Sequence, residues 1–152
     1  MGLVLEFQTE FFLILGDEMA RILIAEDDFA VRDFTYRALS MDHHDVVVAH
    51  EGQEALRCLT VPDDNYDLMI SDIRMPVIDG VTLAKLIFKQ QPHLPILLMT
   101  GYSTAEDSDY APSVVGVLQK PFTLEMIRQA VHSALGQGRE KSLDKQLKLG
   151  LM

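Results

Sequence analysis

The feature that most constrains this chain is the alternation of short apolar runs with stretches of helical spacing. Arg21–Ala25 and the runs at 66–71 and 95–99 are apolar almost throughout, as strands covered on both faces must be. Asp45–Ala49 and residues 114–118 read as two more strands. Val31, Phe34 and Ala38 recur at helical intervals after the first strand, and Leu124, Ile127, Val131 and Ala134 do so after the fifth. Ser103 and Glu106 form a capping box that opens a short polar helix before Pro112. Strict alternation implies parallel strands with crossover helices on both faces. The expected fold is an open, doubly wound α/β domain on a five-stranded parallel sheet.

Charge narrows the function. The 152 residues hold 13 Lys and Arg against 23 Asp and Glu, a formal charge of −10. That balance opposes binding to nucleic acid or to an anionic membrane, both of which are polyanions. The single cysteine, Cys58, excludes an internal disulfide framework; beside Ala55 and Leu59 it reads as a small core residue. No apolar run reaches the roughly 18 residues that span a bilayer. Glu6 and Glu10 stand where a secretory signal would carry Lys or Arg. A cytoplasmic location is the expectation.

Two boundaries are expected. Residues 1–18 have apolar patches without a clean period, and Met19 reads as an alternative start, so 1–18 form an extension and 19–135 the domain. Gly136-Gln137-Gly138 is a helix-ending signal, followed by a tail, 136–152, with four basic and two acidic residues. Leu143, Leu147 and Leu151 recur every four residues there. A partner-binding helix would show that spacing, but for so short a stretch a frayed extension is the reading preferred.

In open parallel sheets, ligands bind beyond the carboxyl ends of the strands. Glu26, Asp27 and Asp28 follow the first strand, Asp72 ends the third, Thr100 ends the fourth, and Lys120-Pro121 follows the fifth. Clustered carboxylates repel one another, and a hard divalent cation such as Mg²⁺ relieves the repulsion. A carboxylate can attack phosphorus to form an aspartyl phosphate, and a metal and a lysine stabilise the charge on the transferred group. The set points to phosphoryl acceptance on Asp72, with Thr100 placed to bond a phosphoryl oxygen. Asp28 reads as a helix N-cap, and Asp79-Gly80 as turn chemistry opening a helix.

The stretches Ile24-Ala25-Glu26-Asp27-Asp28, Ser71-Asp72-Ile73-Arg74-Met75-Pro76, Met99-Thr100-Gly101 and Lys120-Pro121-Phe122 resemble the receiver domain of bacterial two-component response regulators, over roughly residues 20–135. The resemblance implies a flavodoxin-like (βα)5 fold with strand order 2-1-3-4-5. It also implies Asp72 as phosphoacceptor, and a Mg²⁺ site of Asp27 (direct), Glu26 (through water), Asp72 and the Arg74 backbone carbonyl. Thr100 becomes the switch hydroxyl and Lys120 the phosphate-binding lysine, with a cis bond into Pro121. The protein would be no conventional enzyme, although it helps catalyse its own phosphorylation and dephosphorylation.

The implied partner is a histidine kinase or histidine phosphotransfer protein. Many receivers carry Phe or Tyr three residues before the lysine; here that place is Val117. With the short polar helix, this makes the chain look most like the CpdR-type single-domain regulators, adaptors that control delivery of proteins to the ClpXP protease. A phosphorelay shuttle is the alternative.

Other classes fit less well. Phosphatases of the haloacid-dehalogenase type carry a second Asp two residues after the nucleophile, where this chain has Arg74. A flavin carrier needs a phosphate-cradling loop where this chain has Glu26-Asp27-Asp28. A DNA-binding output needs a second domain, for which residues 136–152 are too few.

Overall fold

The computed structural model describes residues 19–101 and 109–150. Its strands are β1 (Arg21–Ala25), β2 (Asp45–Ala49), β3 (Leu68–Asp72), β4 (Ile96–Thr100) and β5 (Val114–Gln119). The helices among the described residues are α1 (Phe29–Met41), α2 (Gly52–Leu59), α3 (Gly80–Gln90) and α4 (Leu124–Gly150). All pairings are parallel and the order is β2-β1-β3-β4-β5. The doubly wound five-stranded sheet and its strand order are as expected.

Two cores explain why the central strands lack polar alternation. Ile22, Ile24, Leu68, Ile70 and Met99 pack on one face with Ala38 and Leu39 of α1 and Ile127, Val131 and Ala134 of α4. Their sequence neighbours Leu23, Ala25, Met69, Ile96 and Leu98 pack on the other with Ala55 of α2 and Leu83, Ala84 and Ile87 of α3. Alternate side chains of a strand point to opposite faces, so both sets must be apolar. Each fully buried Leu or Ile contributes about 1.5–3 kcal/mol. Cys58 is half-buried against the second core, and that burial pushes its thiol up from its ordinary value.

Some boundaries differ from the sequence reading. β3 begins at Leu68 because Tyr66 and Asp67 are engaged at the strand entry: Asp67 Oδ2 accepts from the Arg21 amide at 2.8 Å, and the Arg21 guanidinium lies over the Tyr66 ring. β4 begins after Pro95, which has no amide to donate.

The expected helix end at 136–138 is overturned, since α4 continues to Gly150. Neither Gly136 nor Gly138 adopts the left-handed conformation that ends a helix. Gly138 instead allows close approach to Pro95, whose Cγ would lie 3.2 Å from an added Cβ. Lys145 Nζ then lies 2.9 Å from His93 Nε2. Each interior glycine costs the helix about 1 kcal/mol relative to alanine, and α4 nevertheless runs through both. Leu143 and Leu147 are therefore helical, not frayed. The helix expected from Ser103 and Glu106, and the extension 1–18, lie outside the described residues.

Candidate functional site

The carboxyl ends of β1, β3, β4 and β5 meet at one edge of the sheet. Local hydrogen bonds shape each loop there. After β1, the Glu26 amide donates to the Ala49 carbonyl at 3.1 Å. Asp28 caps α1, accepting from the Val31 amide at 3.0 Å. Arg32 Nη1 donates to the carbonyls of Glu26 at 2.9 Å and Asp27 at 3.3 Å. The loop 26–28 is thus pinned from both sides, with Glu26 fully buried and Asp27 exposed.

Asp72 is the last residue of β3 and is buried. Beyond it the Ile73 amide donates to the Met99 carbonyl at 2.9 Å, and the Gly80 amide to the Ile73 carbonyl at 2.7 Å. Asp79 caps α3, accepting from the Thr82 amide at 2.7 Å. A Cβ on Gly80 would overlap the Asp72 carbonyl oxygen, so only glycine lets α3 start this close to β3. Arg74 is exposed on the loop between them.

Thr100 ends β4, buried one residue past Met99, the register partner of Asp72. Its carbonyl accepts from the Lys120 amide at 2.7 Å, and the Lys120–Pro121 bond is cis. Lys120 Nζ reaches Glu26 Oε1 at 3.1 Å and Asp72 Oδ1 at 3.2 Å. Lys120 and Glu26, so joined, are 94 residues apart in sequence.

Burial raises the Glu26 carboxyl, and the neighbouring Asp72 charge raises it further; Lys120 offsets only part of this, leaving it at about 7. Burial lowers the Lys120 ammonium, but Glu26 and Asp72 more than compensate, so it stays protonated above its ordinary value.

Carboxylate oxygens of Glu26, Asp27 and Asp72 all lie within 4.8 Å of one another. Glu26 Oε2 is buried without a hydrogen-bond partner. An all-carboxylate donor set with an orphaned oxygen fits a hard divalent cation and its waters. Asp28 is committed to its helix cap, as its position before the apolar pattern suggests.

Sequence reasoning missed Arg32, whose guanidinium acts on backbone carbonyls, and it read Gly80 only as turn chemistry, not as the room that α3 needs beside Asp72. Phe34, placed in sequence only by its helical spacing, packs its ring 5.9 Å from that of Phe122, and the two line an apolar cleft that reaches Lys120.

Comparison with known proteins gives a family for the chain. The family model of the response regulator receiver domain matches residues 22–132. Response regulator protein FleR of Pseudomonas aeruginosa is 36% identical over 121 residues, 78% of this chain and 25% of that protein. Transcriptional regulatory protein GlrR of Escherichia coli is 33% identical over 125 residues, 81% of this chain and 28% of that protein. Response regulator protein TrrA of Thermotoga maritima, solved in complex with Mg²⁺ and BeF, is 30% identical with a TM-score of 0.68, covering 74% of this chain and 96% of that one. The chain spans only about a quarter of FleR and GlrR.

Proposed function

Because the chain belongs to the response regulator receiver family, we propose that it accepts a phosphoryl group on Asp72 from a histidine kinase or histidine phosphotransfer protein. The observation that carries this reading is the bridge from Lys120 Nζ to both Glu26 and Asp72. A carboxylate oxygen of Asp72 attacks phosphorus, the P–N bond to the donor imidazole breaks, and the imidazole leaves with the bond pair and takes up a proton. Lys120 moves from its carboxylate partners onto a phosphoryl oxygen, and the Thr100 hydroxyl donates to another.

Glu26, Asp27, Asp72 and the Arg74 carbonyl are the proposed holders of Mg²⁺, with Asp27 a direct ligand and Glu26 acting through water. Mg²⁺, once bound, would neutralise charge on the transferred group. The same groups would position a water for hydrolysis of the aspartyl phosphate, so the chain assists its own dephosphorylation. Incubation with acetyl phosphate and Mg²⁺ should add one base-labile phosphoryl group. Normal uptake by Asp72→Ala would sink the assignment.

For the output we propose a change in protein contacts of the CpdR kind, with components of the ClpXP protease as partners and the cytoplasm as location. The motif likeness and Val117 in place of an aromatic ring support this reading; Val117 is 38% exposed on β5. Capture of protease components by wild type or Asp72→Ala, in one phosphorylation state only, is the expected result. Transfer of the phosphoryl group to a histidine phosphotransfer domain without such capture would favour a phosphorelay shuttle.

A further inference from the structure

The segment from Asp72 to Gly80 leaves β3 and returns to start α3, and it is anchored at several points. The Ile73 amide donates to the Met99 carbonyl at 2.9 Å, and the Gly80 amide to the Ile73 carbonyl at 2.7 Å. Met75 is buried in the core on the α2 and α3 side. Ile78 packs against the same core, and a Cβ on Gly52 of α2 would lie 3.1 Å from the Ile78 Cβ. Between these anchors Arg74, Pro76 and Val77 are exposed.

The sequence of this segment decides where the chain reverses. Proline fixes its own φ at about −65° and keeps the residue before it extended, so the reversal does not fall on Met75 or Pro76. It falls on Val77, whose φ is 68°. There the Ile78 amide closes a three-residue turn by donating to the Pro76 carbonyl at 2.8 Å. A three-residue turn with positive φ at its centre is the rare, strained form. Valine suits it poorly, because its Cβ crowds the following carbonyl oxygen and the branch stiffens the side chain. Val77 is 82% exposed, so packing of its own side chain offsets little of that strain. The anchors on either side hold the turn instead, and backbone strain held in this way gathers at working sites.

On the footing of the Mg²⁺ site proposed for phosphoryl acceptance, we propose that Val77 is a positioning residue that sets the Mg²⁺ affinity, by opposing the loop conformation in which the Arg74 carbonyl serves as a ligand. In the relaxed alternative Val77 returns to negative φ, the bond from the Ile78 amide to the Pro76 carbonyl opens, and the exposed stretch that includes Arg74 moves with it. An apparent dissociation constant is the intrinsic one divided by the fraction of molecules already competent to bind. The left-handed penalty of a residue with a Cβ corresponds to about fivefold to thirtyfold in such a fraction. Glycine is free of that penalty, and asparagine offsets it by local hydrogen bonding. Valine at this position therefore keeps phosphoryl acceptance on Asp72 dependent on a high Mg²⁺ concentration.

Mg²⁺ titration calorimetry of the full chain, with urea unfolding in EDTA and in saturating Mg²⁺, tests this. Val77→Gly and Val77→Asn should each tighten Mg²⁺ binding by about fivefold or more, while Val77→Ile, which keeps the branch, should stay within about twofold of wild type. Uptake from acetyl phosphate at low Mg²⁺ should rise in the same two variants. The rise in urea midpoint on Val77→Asn should be larger in Mg²⁺ than in EDTA, since the metal selects the turn. Asparagine also separates the effect from the extra freedom that glycine gives the unfolded chain. An equal rise in both solutions with unchanged Mg²⁺ affinity would overturn the proposal and leave the metal site standing. A wild type that binds no Mg²⁺ would overturn both.

Discussion

Lys120 Nζ sits 3.1 Å from Glu26 Oε1, pairing the group after β5 with a fully buried carboxyl after β1. The pair does not neutralise the site, because Asp72 shares the same ammonium. Glu26 therefore holds its proton up to about pH 7, chiefly through burial and then through Asp72.

This has a consequence for stability without metal. The folded chain binds the Glu26 proton more tightly than the unfolded chain, whose carboxyl titrates near 4.5. The contribution is fully present below about pH 4.5 and is lost as pH rises through 7. A shift of this size corresponds to about 3 kcal/mol at most. Glu26→Gln carries no such penalty and should be more stable than wild type by about 1–3 kcal/mol at pH 8 in EDTA. The advantage should fade toward pH 5. Urea midpoints at pH 5, 6, 7 and 8 measure it, and a constant difference across that range would reject the account.

Gly80→Ala tests the packing of α3 on the strand that ends in Asp72. The added methyl has no room beside the Asp72 carbonyl, and overpacking of this kind costs about 1–3 kcal/mol. Because the clash falls on the Asp72 backbone, phosphoryl uptake should slow as well. Full activity with unchanged stability would show that the helix start shifts freely.

The strands and the Asp28 cap were legible because their signals are local: a two-sided apolar run, or an acid three residues before the amide it caps. The convergence of Glu26, Asp72, Thr100 and Lys120 followed from topology alone, since parallel strands deliver their carboxyl ends to one edge. What escaped were contacts between distant backbones. Gly138 reads as a stop, yet here it is the place where a helix passes Pro95. Composition does not distinguish Glu26 from Asp27, and the family resemblance separates them only by role; the Glu26 amide bonds to β2, and the fold shows Glu26 buried and Asp27 exposed.

Asp27 and Asp28 should separate cleanly. Asp28→Ala removes the α1 cap and should cost about 1 kcal/mol, with Mg²⁺ affinity nearly kept. Asp27→Ala removes one oxygen of the carboxylate cluster and should lower Mg²⁺ affinity at least tenfold while leaving stability equal or higher, since it relieves like-charge repulsion. Titration calorimetry and thermal unfolding of both variants supply the comparison. Equal loss of Mg²⁺ affinity would contradict the division of labour.

The last prediction concerns how phosphorylation leaves the site. Val117, exposed on β5, cannot report the switch by burying a ring, so the response should run through Thr100 at the end of β4. Its carbonyl already holds the Lys120 amide, so a pull on Thr100 toward the phosphoryl oxygen is transmitted to the β5 loop. A hydrogen bond to a charged group is worth about 1.5–3 kcal/mol. That changes a two-state population by about tenfold to a hundredfold, enough to bias partner binding without locking it. Thr100→Ala should still take up phosphate on Asp72. The gain in partner affinity on loading beryllofluoride, however, should shrink at least tenfold relative to wild type. The same gain in both proteins would mean that the signal travels by a path that does not include Thr100.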